Sequence, residues 1–286
     1  MKQFAGRVAV ITGAASGLGR AMAARFAREN MSVVLADVNA ADLARTETEL
    51  RDGGATVIGV HTDVSRAEDI DELASRTLEA FGAVHLVVNN AGVAPLGSAW
   101  ENTLADWQWT LGVNLWGVIH GVRVFTPLLL AQAQKAGEAG HIVNTASVSG
   151  FINAPGMCMY NVSKHAVVAL SESLHHELAR LTQQVKCSVL CPAYVPTGIA
   201  DSERNRPETL ANSRGSETSD ELAREEALRS AVRRGKLSAE QVAQSVFEAV
   251  REERFYILTH PKILGAVQAR MEDIVSGAEP RDPLTL

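Results

Sequence analysis

Tyr160 and Lys164 lie four residues apart in the stretch MYNVSKH, which is one turn apart if this segment is helical. A phenol in water holds its proton until about pH 10, and a nearby ammonium favours the phenolate form. Two such groups on one helix face could pass a proton to or from a substrate oxygen. The same spacing also arises on any half-buried helix with one aromatic and one basic residue, so other parts of the sequence must decide.

A glycine-rich turn follows the first strand-like segment. Thr12–Gly19 (TGAASGLG) contains Gly13, Gly17 and Gly19, between the apolar run Arg7–Thr12 and a helical stretch. Glycines leave room for the backbone to approach a diphosphate, and the free N–H groups and dipole at a helix start favour negative charge. A plain glycine-rich turn is the alternative, but the strand–turn–helix setting favours a dinucleotide site.

Asp37 ends the second strand-like segment, at the distance from Gly19 that is typical of a ribose-binding carboxylate. Such a carboxylate accepts hydrogen bonds from the adenosine ribose and repels a 2′-phosphate. No basic residue follows Asp37 directly, and Ser16 occupies a turn position where a basic side chain could bind phosphate. We therefore predict NAD rather than NADP as cofactor. Asp37 could instead cap the next helix, although Asn39 is better placed to do so.

Short β-branched runs alternate with helical stretches along most of the chain. The predicted strands are 7–12, 32–36, 55–60, 84–88, 141–145, 185–190 and 255–258, and the predicted helices are 17–30, 40–51, 66–81, 104–134, 160–181 and 239–251. Apolar strands separated by helices indicate a parallel sheet covered on both faces. Right-handed crossovers then lead to a doubly wound sheet, so we expect a single α/β domain over residues 1–286.

The composition is that of an ordinary globular protein. The chain has 286 residues, of which 46% are hydrophobic and 21% charged, and its mean hydropathy is +0.01. No uninterrupted apolar run reaches the roughly 18 residues of a membrane span, and no long apolar leader precedes the first strand. We therefore expect a cytoplasmic protein without a membrane partner. A net charge of -6 with no basic block argues against nucleic acid as a partner.

The cysteines and histidines indicate neither a disulfide framework nor a metal site. Cys158, Cys187 and Cys191 form no paired pattern, so we expect reduced thiols. No combination of His, Cys and Asp residues has metal-ligand spacing.

The segment from Gly198 to Gly235, which we call the lid segment, interrupts the alternation. It is rich in Arg, Glu, Ser and Asn and has little apolar periodicity. It could be a disordered insertion or a lid of short helices. Its position after the sixth strand favours a lid that closes over a ligand at the carboxyl ends of the strands.

Taken together, these motifs resemble the short-chain dehydrogenase/reductase family, in its large single-domain form, from about Arg7 to Leu258. The resemblance is carried by Thr12-Gly-x3-Gly-x-Gly19, Asn89-Asn-Ala-Gly92, Asn114, Ser147, Tyr160-x3-Lys164 and Pro192-x2-Val-x-Thr197. It implies a Rossmann-like seven-stranded sheet, a nicotinamide cofactor and a homodimer or homotetramer. One position departs from the pattern, because the family usually has Pro-Gly where this chain has Pro192-Ala193, which puts the geometry of that loop in doubt.

The resemblance also implies which residues hold the cofactor. It places Gly13, Ser16, Gly17, Leu18 and Gly19 around the diphosphate and its ribose, Asp37 and Val38 beside the adenine ribose, Asp63 and Val64 beside the adenine ring, Asn90, Ala91 and Gly92 along the central groove, and Val195 and Thr197 at the nicotinamide carboxamide.

For the reaction, the resemblance implies NAD-dependent interconversion of a secondary alcohol and a ketone. We expect Tyr160 to act as the general base in oxidation and the general acid in reduction. Lys164 is expected to lower the proton affinity of Tyr160 and to bind the nicotinamide ribose. Ser147 is expected to hydrogen-bond the substrate oxygen, with Ser149 as the competing residue. Asn114 is expected to hold a water near Lys164, unless it is a satisfied core amide.

Two other classes of function stay open. The chain could be a non-catalytic dinucleotide-binding sensor or scaffold, although such binders tend to lose the tyrosine or the lysine. It could also be a lyase or epimerase that uses bound NAD only transiently. Net NADH formation with an added alcohol separates the dehydrogenase from both.

The expected substrate pocket is mostly apolar. Its predicted walls are residues 94–96, 149–152 and 154–157, Tyr194 and the lid segment. These suit a hydrophobic secondary alcohol or ketone, whereas Arg204 and Arg206 could supply charge for a sugar or a hydroxy acid.

Two further groups of residues leave alternatives open. Trp100, Trp107, Trp109 and Trp116 could form an oligomer interface or fill a core. The C-terminal residues 271–286 could cover a neighbouring subunit or hang free.

Overall fold

A computed structural model of the chain describes residues 1–212 and 219–285. Within them, one parallel sheet has the strand order β3-β2-β1-β4-β5-β6-β7. The strands are β1 Val8–Thr12, β2 Ser32–Asp37, β3 Val57–His61, β4 Leu86–Asn89, β5 Gly140–Thr145, β6 Val185–Cys191 and β7 Tyr256–Leu258. The strand order reverses between β1 and β4, which opens a crevice at the carboxyl ends of the strands. The predicted doubly wound α/β fold is confirmed.

Helices cover both faces of this sheet. They are α1 Gly17–Ala27, α2 Ala40–Asp52, α3 Ala67–Phe81, α4 Leu104–Leu111, α5 Gly117–Ala136, α6 Cys158–Leu181, α7 Ser219–Arg233, α8 Ala239–Glu252 and α9 Leu264–Ser276. Strand β1 shows why two faces are needed: Ala9 and Ile11 pack in the core with α1 and α8, whereas Val8 and Val10 pack with α3, α5 and α6. Because both sides of the strand are apolar, both must be buried.

The predicted strands and helices agree with the structure to within a few residues at their ends, with three differences. The predicted helix 104–134 is α4 and α5 joined by a π-helical turn, Gly112–Trp116. The lid segment contains 3₁₀ turns at Gly198–Asn205 and Glu208–Leu210 followed by α7, and its residues 213–218 lie outside the described residues. Helix α9 was not predicted, although Leu264, Val267, Met271 and Ile274 recur at helical spacing.

By length and composition, the continuous helical stretch Leu104–Ala136 is apolar enough to cross a membrane. In the fold, its residues Phe125 and Leu129 pack into the core cluster on one face of the sheet. Apolar residues on at least one side of this stretch therefore pack within the domain.

Candidate functional site

A cleft of about 500 Å³ crosses the carboxyl ends of the strands. Asp37 and Asp63, which follow β2 and β3, line one end, and Tyr160 and Lys164 line the other together with the lid segment. Of the residues predicted to hold a cofactor, only Gly19 does not line the cleft. The tertiary structure thus brings together residues that lie as far apart as Gly13 and Thr197.

The glycine turn after β1 has no space for side chains. A Cβ on Gly19 would collide with the carbonyl oxygen of Gly13, which explains why Gly19 lies beneath the turn rather than on its surface. Gly13 has φ +66°, and its Cβ would lie 2.9 Å from Cα of Ala91. Gly17 has φ +53°, and its Cβ would lie 3.2 Å from Cβ of Thr197. Both φ values are in the left-handed region that favours glycine.

Helix α1 begins at this turn with its first N–H groups uncapped by a side chain. Its N-cap residue, Ser16, makes no side-chain capping hydrogen bond, and the first turn contains no acidic residue. Ser16, Gly17 and Leu18 all line the cleft. A helix start of this kind attracts an anion, so the turn fits the diphosphate of a dinucleotide.

Asp37 is held at the rim of the cleft by the backbone around it. Its Oδ2 accepts a hydrogen bond from the N–H of Ala15 at 3.0 Å, and its Oδ1 accepts one from the N–H of Asn39 at 2.9 Å. Helix α2 is capped by Asn39, whose Oδ1 accepts from the N–H of Asp42 at 3.0 Å. The alternative that Asp37 is the helix cap is therefore wrong, and each of its oxygens retains lone-pair capacity toward the cleft.

The ends of β1 and β4 are joined by hydrogen bonds between Thr12 and the loop that begins at Asn90. The N–H groups of Asn90 and Ala91 donate to Thr12 Oγ1 at 2.9 and 3.1 Å. Asn90 Nδ2 donates to the carbonyl oxygen of Thr12 at 3.0 Å. These bonds fix the floor of the cleft at the point where the strand order reverses.

At the other end, α6 places Tyr160 and Lys164 on the same face, as their spacing predicts. Lys164 Nζ lies 5.5 Å from the centroid of the Tyr160 ring and donates to the carbonyl oxygen of Thr145 at 2.9 Å. The Ser147 side chain is close enough to the Tyr160 hydroxyl to lower the pKa of that hydroxyl. Ser147 Oγ also accepts from the N–H of Ser149 at 3.1 Å. Ser149 therefore supports Ser147 through its backbone, and Ser147 is the residue in contact with the tyrosine.

Burial controls the protonation of this pair. Burial raises the pKa of the Tyr160 hydroxyl, and the neighbouring Ser147 side chain opposes this effect without cancelling it. Burial also lowers the pKa of the Lys164 ammonium to about 8. The protein alone thus favours the neutral phenol, in contrast to the expectation that Lys164 lowers its proton affinity. Desolvation is the largest effect on the pKa of both groups.

Asn114 lies in the middle of the π-helical turn, fully buried and behind the cleft wall. Its Oδ1 accepts from the N–H of Val93 at 2.8 Å, and its Nδ2 donates to the carbonyl oxygen of Val93 at 2.9 Å and to Ser163 Oγ at 3.1 Å. Both amide hydrogens are therefore used within the protein. The side chain matches the alternative of a satisfied core amide that ties the loop after β4 to α6.

The loop with Pro192-Ala193, the departure from the family pattern, has its own backbone partners. The carbonyl oxygen of Pro192 accepts from the N–H of Val148 at 3.0 Å. The N–H of Ala193 donates to His260 Nδ1 at 3.1 Å. The loop is therefore held from both sides, by the residues after β5 and by the residues after β7.

The substrate end of the cleft agrees in part with the predicted walls. Its predicted residues that do line the cleft are Ala94, Ser149, Ile152, Ala154, Met157 and Tyr194, whereas Pro95, Leu96, Gly150, Phe151, Pro155 and Gly156 do not. The lining residues that were not predicted include Gln108, Trp109, Val113, Ile263, Pro283 and Leu284. The one-turn spacing of Trp109 and Val113 in the helix that leads to Asn114 could have indicated them, but nothing in the sequence pointed to the tail.

The lid segment is attached to α4 through a buried ion pair. Arg206 Nη2 donates to Asp106 Oδ1 at 2.8 Å, and the guanidinium lies 4.3 Å above the centroid of the Trp109 ring. Burial alone would raise the pKa of Asp106, but hydrogen bonds from Asn212, Thr103 and Arg206 hold it below its usual value. Arg206 is thus committed to Asp106, and only Arg204 of the two predicted arginines lines the cleft.

The tryptophans do not form one cluster. Trp109 is buried at the cleft, whereas Trp100 is 85% exposed and Trp116 is 51% exposed. Cys187 and Cys191 are buried, and burial raises the pKa of each thiol to about 12, which makes them unreactive core groups. Over residues 1–212 and 219–285, no group of three or more His, Cys, Asp or Glu side chains could hold a metal ion.

Solved structures are similar to this chain in fold, and named proteins are similar to it in sequence. A short-chain dehydrogenase/reductase from Burkholderia phymatum, solved in complex with NAD, is 55% identical, with a TM-score of 0.96 and full coverage of both chains. The CLA biosynthesis dehydrogenase/reductase of Lactiplantibacillus plantarum is 32% identical over 98% of this chain and 97% of its own. The 1-deoxy-11-beta-hydroxypentalenate dehydrogenase of Streptomyces exfoliatus is 35% identical over 94% of this chain and 88% of its own.

The family model described as short chain dehydrogenase matches residues 7–208, most of the chain and nearly all of the cleft. The motifs, the sheet order and the relatives agree with one another. The chain therefore belongs to the short-chain dehydrogenase/reductase family of oxidoreductases.

Proposed function

We propose that this protein interconverts a hydrophobic secondary alcohol and its ketone with NAD as cofactor and Tyr160 as the acid/base group. The observation that carries the proposal is the grouping of Tyr160, Ser147 and Lys164 at one end of a cleft whose other end fits a dinucleotide. A dinucleotide-binding sensor has no need of this group.

The residues at the dinucleotide end of the cleft suit NAD. The glycine turn and the start of α1 would hold the diphosphate, and Asp37 would accept hydrogen bonds from the adenosine ribose. The Burkholderia phymatum relative was solved with this cofactor. When bound, the nicotinamide supplies the hydride acceptor or donor.

The protein supplies the proton transfer. In ketone reduction, Tyr160 donates its proton to the substrate oxygen, while the Ser147 hydroxyl hydrogen-bonds that oxygen and stabilises its developing charge. Because burial raises the pKa of Tyr160, the phenol stays protonated at neutral pH and is ready to donate. In alcohol oxidation, the same hydroxyl must first lose its proton.

Lys164 and Asn114 would support this transfer. The Lys164 ammonium, fixed by Thr145, is placed to bind ribose hydroxyls next to Tyr160. Asn114 would act by holding the loop after β4 through Val93 and, from its backbone carbonyl in the π-helical turn, by binding a water that leads toward Lys164.

The walls of the substrate end favour an apolar substrate. Trp109, Ile152, Met157, Leu228 and Val232 line it, and the last two belong to α7 of the lid segment. The relatives named above act, by their names, as dehydrogenases, and the Streptomyces exfoliatus protein is named for a hydroxylated substrate. We propose that the lid segment closes over the substrate as part of the single catalytic domain.

The test is an assay of NADH formation with a panel of secondary alcohols, using NAD and NADP side by side. We expect turnover of apolar alcohols with NAD and higher efficiency with NAD than with NADP. The Tyr160→Phe variant should lose about a thousandfold or more in kcat, while its Kd for NADH stays within about twofold.

Tyr256→Phe is the matched control, because Tyr256 lies on β7 with its hydroxyl bonded to Glu172, away from the cleft. It should retain full activity. Turnover in the Tyr160→Phe variant comparable to the unmodified protein would refute the role of Tyr160. NADH binding without turnover of any alcohol or ketone would favour the sensor or scaffold instead.

We also propose a homo-oligomer. Trp100 and Leu104, close together in the chain, are 85% and 80% exposed, and an exposed pair of large apolar side chains is typical of a contact surface. Light scattering after size-exclusion chromatography should give a mass of two or four chains. A monomer at micromolar concentration would contradict this.

A further inference from the structure

The C-terminal residues fold back over the cleft of their own chain. Helix α9 ends at Ser276, and Gly277, with φ +69°, reverses the chain direction. The N–H of Ala278 then donates to the carbonyl oxygen of Asp273 at 2.9 Å. The chain after α9 therefore turns back along the helix, and most of residues 277–285 stay exposed.

Arg281 holds this returning segment in place. Its Nε donates to Asp273 Oδ1 at 2.8 Å, and its backbone N–H donates to Asp273 Oδ2 at 3.1 Å. Its Nη2 donates to the carbonyl oxygen of Ala269 at 2.7 Å. Asp273 is buried, with 7% of its surface exposed. Because the Asp273 carboxylate accepts from both the side chain and the backbone of Arg281, it fixes the position of Arg281 as well as balancing its charge.

The next residues form a turn that presents apolar side chains. Asp282 Oδ1 accepts from the N–H of Leu284 at 2.9 Å, and the Asp282 carbonyl oxygen accepts from the N–H of Thr285 at 3.2 Å. Side-chain acceptors of this kind stabilise turns. As a result, Pro283 and Leu284 line the cleft together with Ile263, which precedes α9.

This wall belongs to the substrate end. Ile263 follows β7, which is the edge strand opposite β3 in the sheet order, whereas Asp37 and Asp63 at the dinucleotide end follow β2 and β3. Leu284 is still 65% exposed. A large apolar side chain held at the mouth of an apolar cleft gains favourable burial when an apolar ligand reaches it.

We propose that the segment Asp282–Thr285 is the outer wall of the substrate end, and that Leu284 selects substrates with an apolar part extending beyond the reacting carbon. The reaction assumed in this inference rests on the proposed function, whereas the wall rests on the position of the segment alone. Arg281 is a positioning residue, since it acts on the substrate through the turn that it holds.

The test measures binding without turnover. Calorimetry with the protein saturated with NAD and a series of 2-alkanones, from 2-butanone to 2-undecanone, gives Kd as a function of chain length, because ketone and NAD together cannot react. In the unmodified protein we expect affinity to rise roughly fourfold for each methylene that becomes buried. Leu284→Asp should leave the Kd of 2-butanone unchanged and weaken 2-undecanone about tenfold or more.

Leu181→Asp is the matched control, because Leu181 is 70% exposed at the end of α6 and does not line the cleft. It should preserve the full dependence on length. Arg281→Ala should reproduce the loss seen with Leu284→Asp while the Kd for NADH stays unchanged. The proposal is overturned if Leu284→Asp weakens short and long ketones equally, if Leu181→Asp has the same effect, or if the unmodified protein shows no dependence on length.

These outcomes separate the wall from the proposed function. If the protein formed no NADH with any alcohol but still bound long ketones more tightly through Leu284, the wall would stand and the proposed reaction would fail. If turnover were confirmed but Leu284 had no effect on length dependence, the reaction would stand and the wall would fail.

Discussion

The two ends of the cleft are built in different ways. At the dinucleotide end, short turns directly after β1, β2 and β4 form the surface, and Gly13, Gly17 and Gly19 allow the backbone itself to approach the ligand. At the substrate end, much of the surface consists of side chains from the loops after β5 and β6, the lid segment, α4 and the C-terminal tail. The dinucleotide end is fixed by neighbouring strands, and the substrate end by contacts between residues a hundred or more positions apart.

This difference shows how one fold can bind one cofactor and many substrates. Backbone groups at the ends of buried strands cannot move without disturbing the sheet, so that end has one geometry. A surface made of side chains on attached segments can change with few consequences for the core. We therefore expect substitutions at the two ends to separate cofactor affinity from substrate affinity.

Among substitutions that distinguish the two ends, the largest effect on affinity is expected for Gly19→Ala. The added methyl would collide with the carbonyl oxygen of Gly13, so the glycine turn must shift. Affinity for NADH should fall by about a hundredfold or more, equivalent to roughly 3 kcal/mol, as measured by fluorescence titration. Gly265→Ala is the control, because a methyl there meets no atom within 4 Å. Equal NADH affinity in both variants would mean that the turn does not bind the cofactor.

The pH dependence of turnover should differ between the two directions. Burial raises the pKa of Tyr160, so the phenolate needed for oxidation is scarce at neutral pH and its fraction rises about tenfold per pH unit below that pKa. We expect kcat/KM for alcohol oxidation to increase with pH across the neutral and mildly alkaline range. Ketone reduction needs the protonated phenol and should not increase. Parallel profiles in both directions would exclude Tyr160 as the titrating group.

A substitution at the attachment of the lid segment should affect the substrate end alone. Arg206→Met removes the ion pair with buried Asp106, and breaking such a pair costs several kcal/mol locally. We expect KM for the alcohol to rise about tenfold with the Kd for NADH unchanged. Arg233→Met is the control, since Arg233 makes an exposed pair with Glu226 in the same segment. A matching loss of NADH affinity would show that the two ends are coupled.

The smallest effect should come from Asp37→Asn, which keeps the size of the side chain and removes its charge. Loss of a charge-assisted hydrogen bond to the ribose should weaken NAD about tenfold at most. Affinity for NADP should rise, because the repulsion of its 2′-phosphate is removed. The ratio of kcat/KM for NAD and NADP measures this change. An unchanged ratio would remove Asp37 from cofactor selection.

Local sequence patterns determined the sheet, the glycine turn and the pairing of Tyr160 with Lys164. Each depends on spacing along the chain: apolar runs make buried strands, glycines permit left-handed backbone, and a four-residue step places two side chains on one helix face. Asn39 as the cap of α2 follows from the same local logic. Physical rules that act over a few residues can be read from the order of residues alone.

Only the tertiary structure decided the state of the groups at the site and the shape of the substrate end. The sequence suggested a tyrosine made more acidic by lysine, whereas burial raises the pKa of Tyr160 and lowers that of Lys164. The pairing of Arg206 with Asp106 and the placement of Leu284 at the cleft also required the folded chain. Burial and contacts between distant segments depend on how all elements pack together, and no local spacing encodes them.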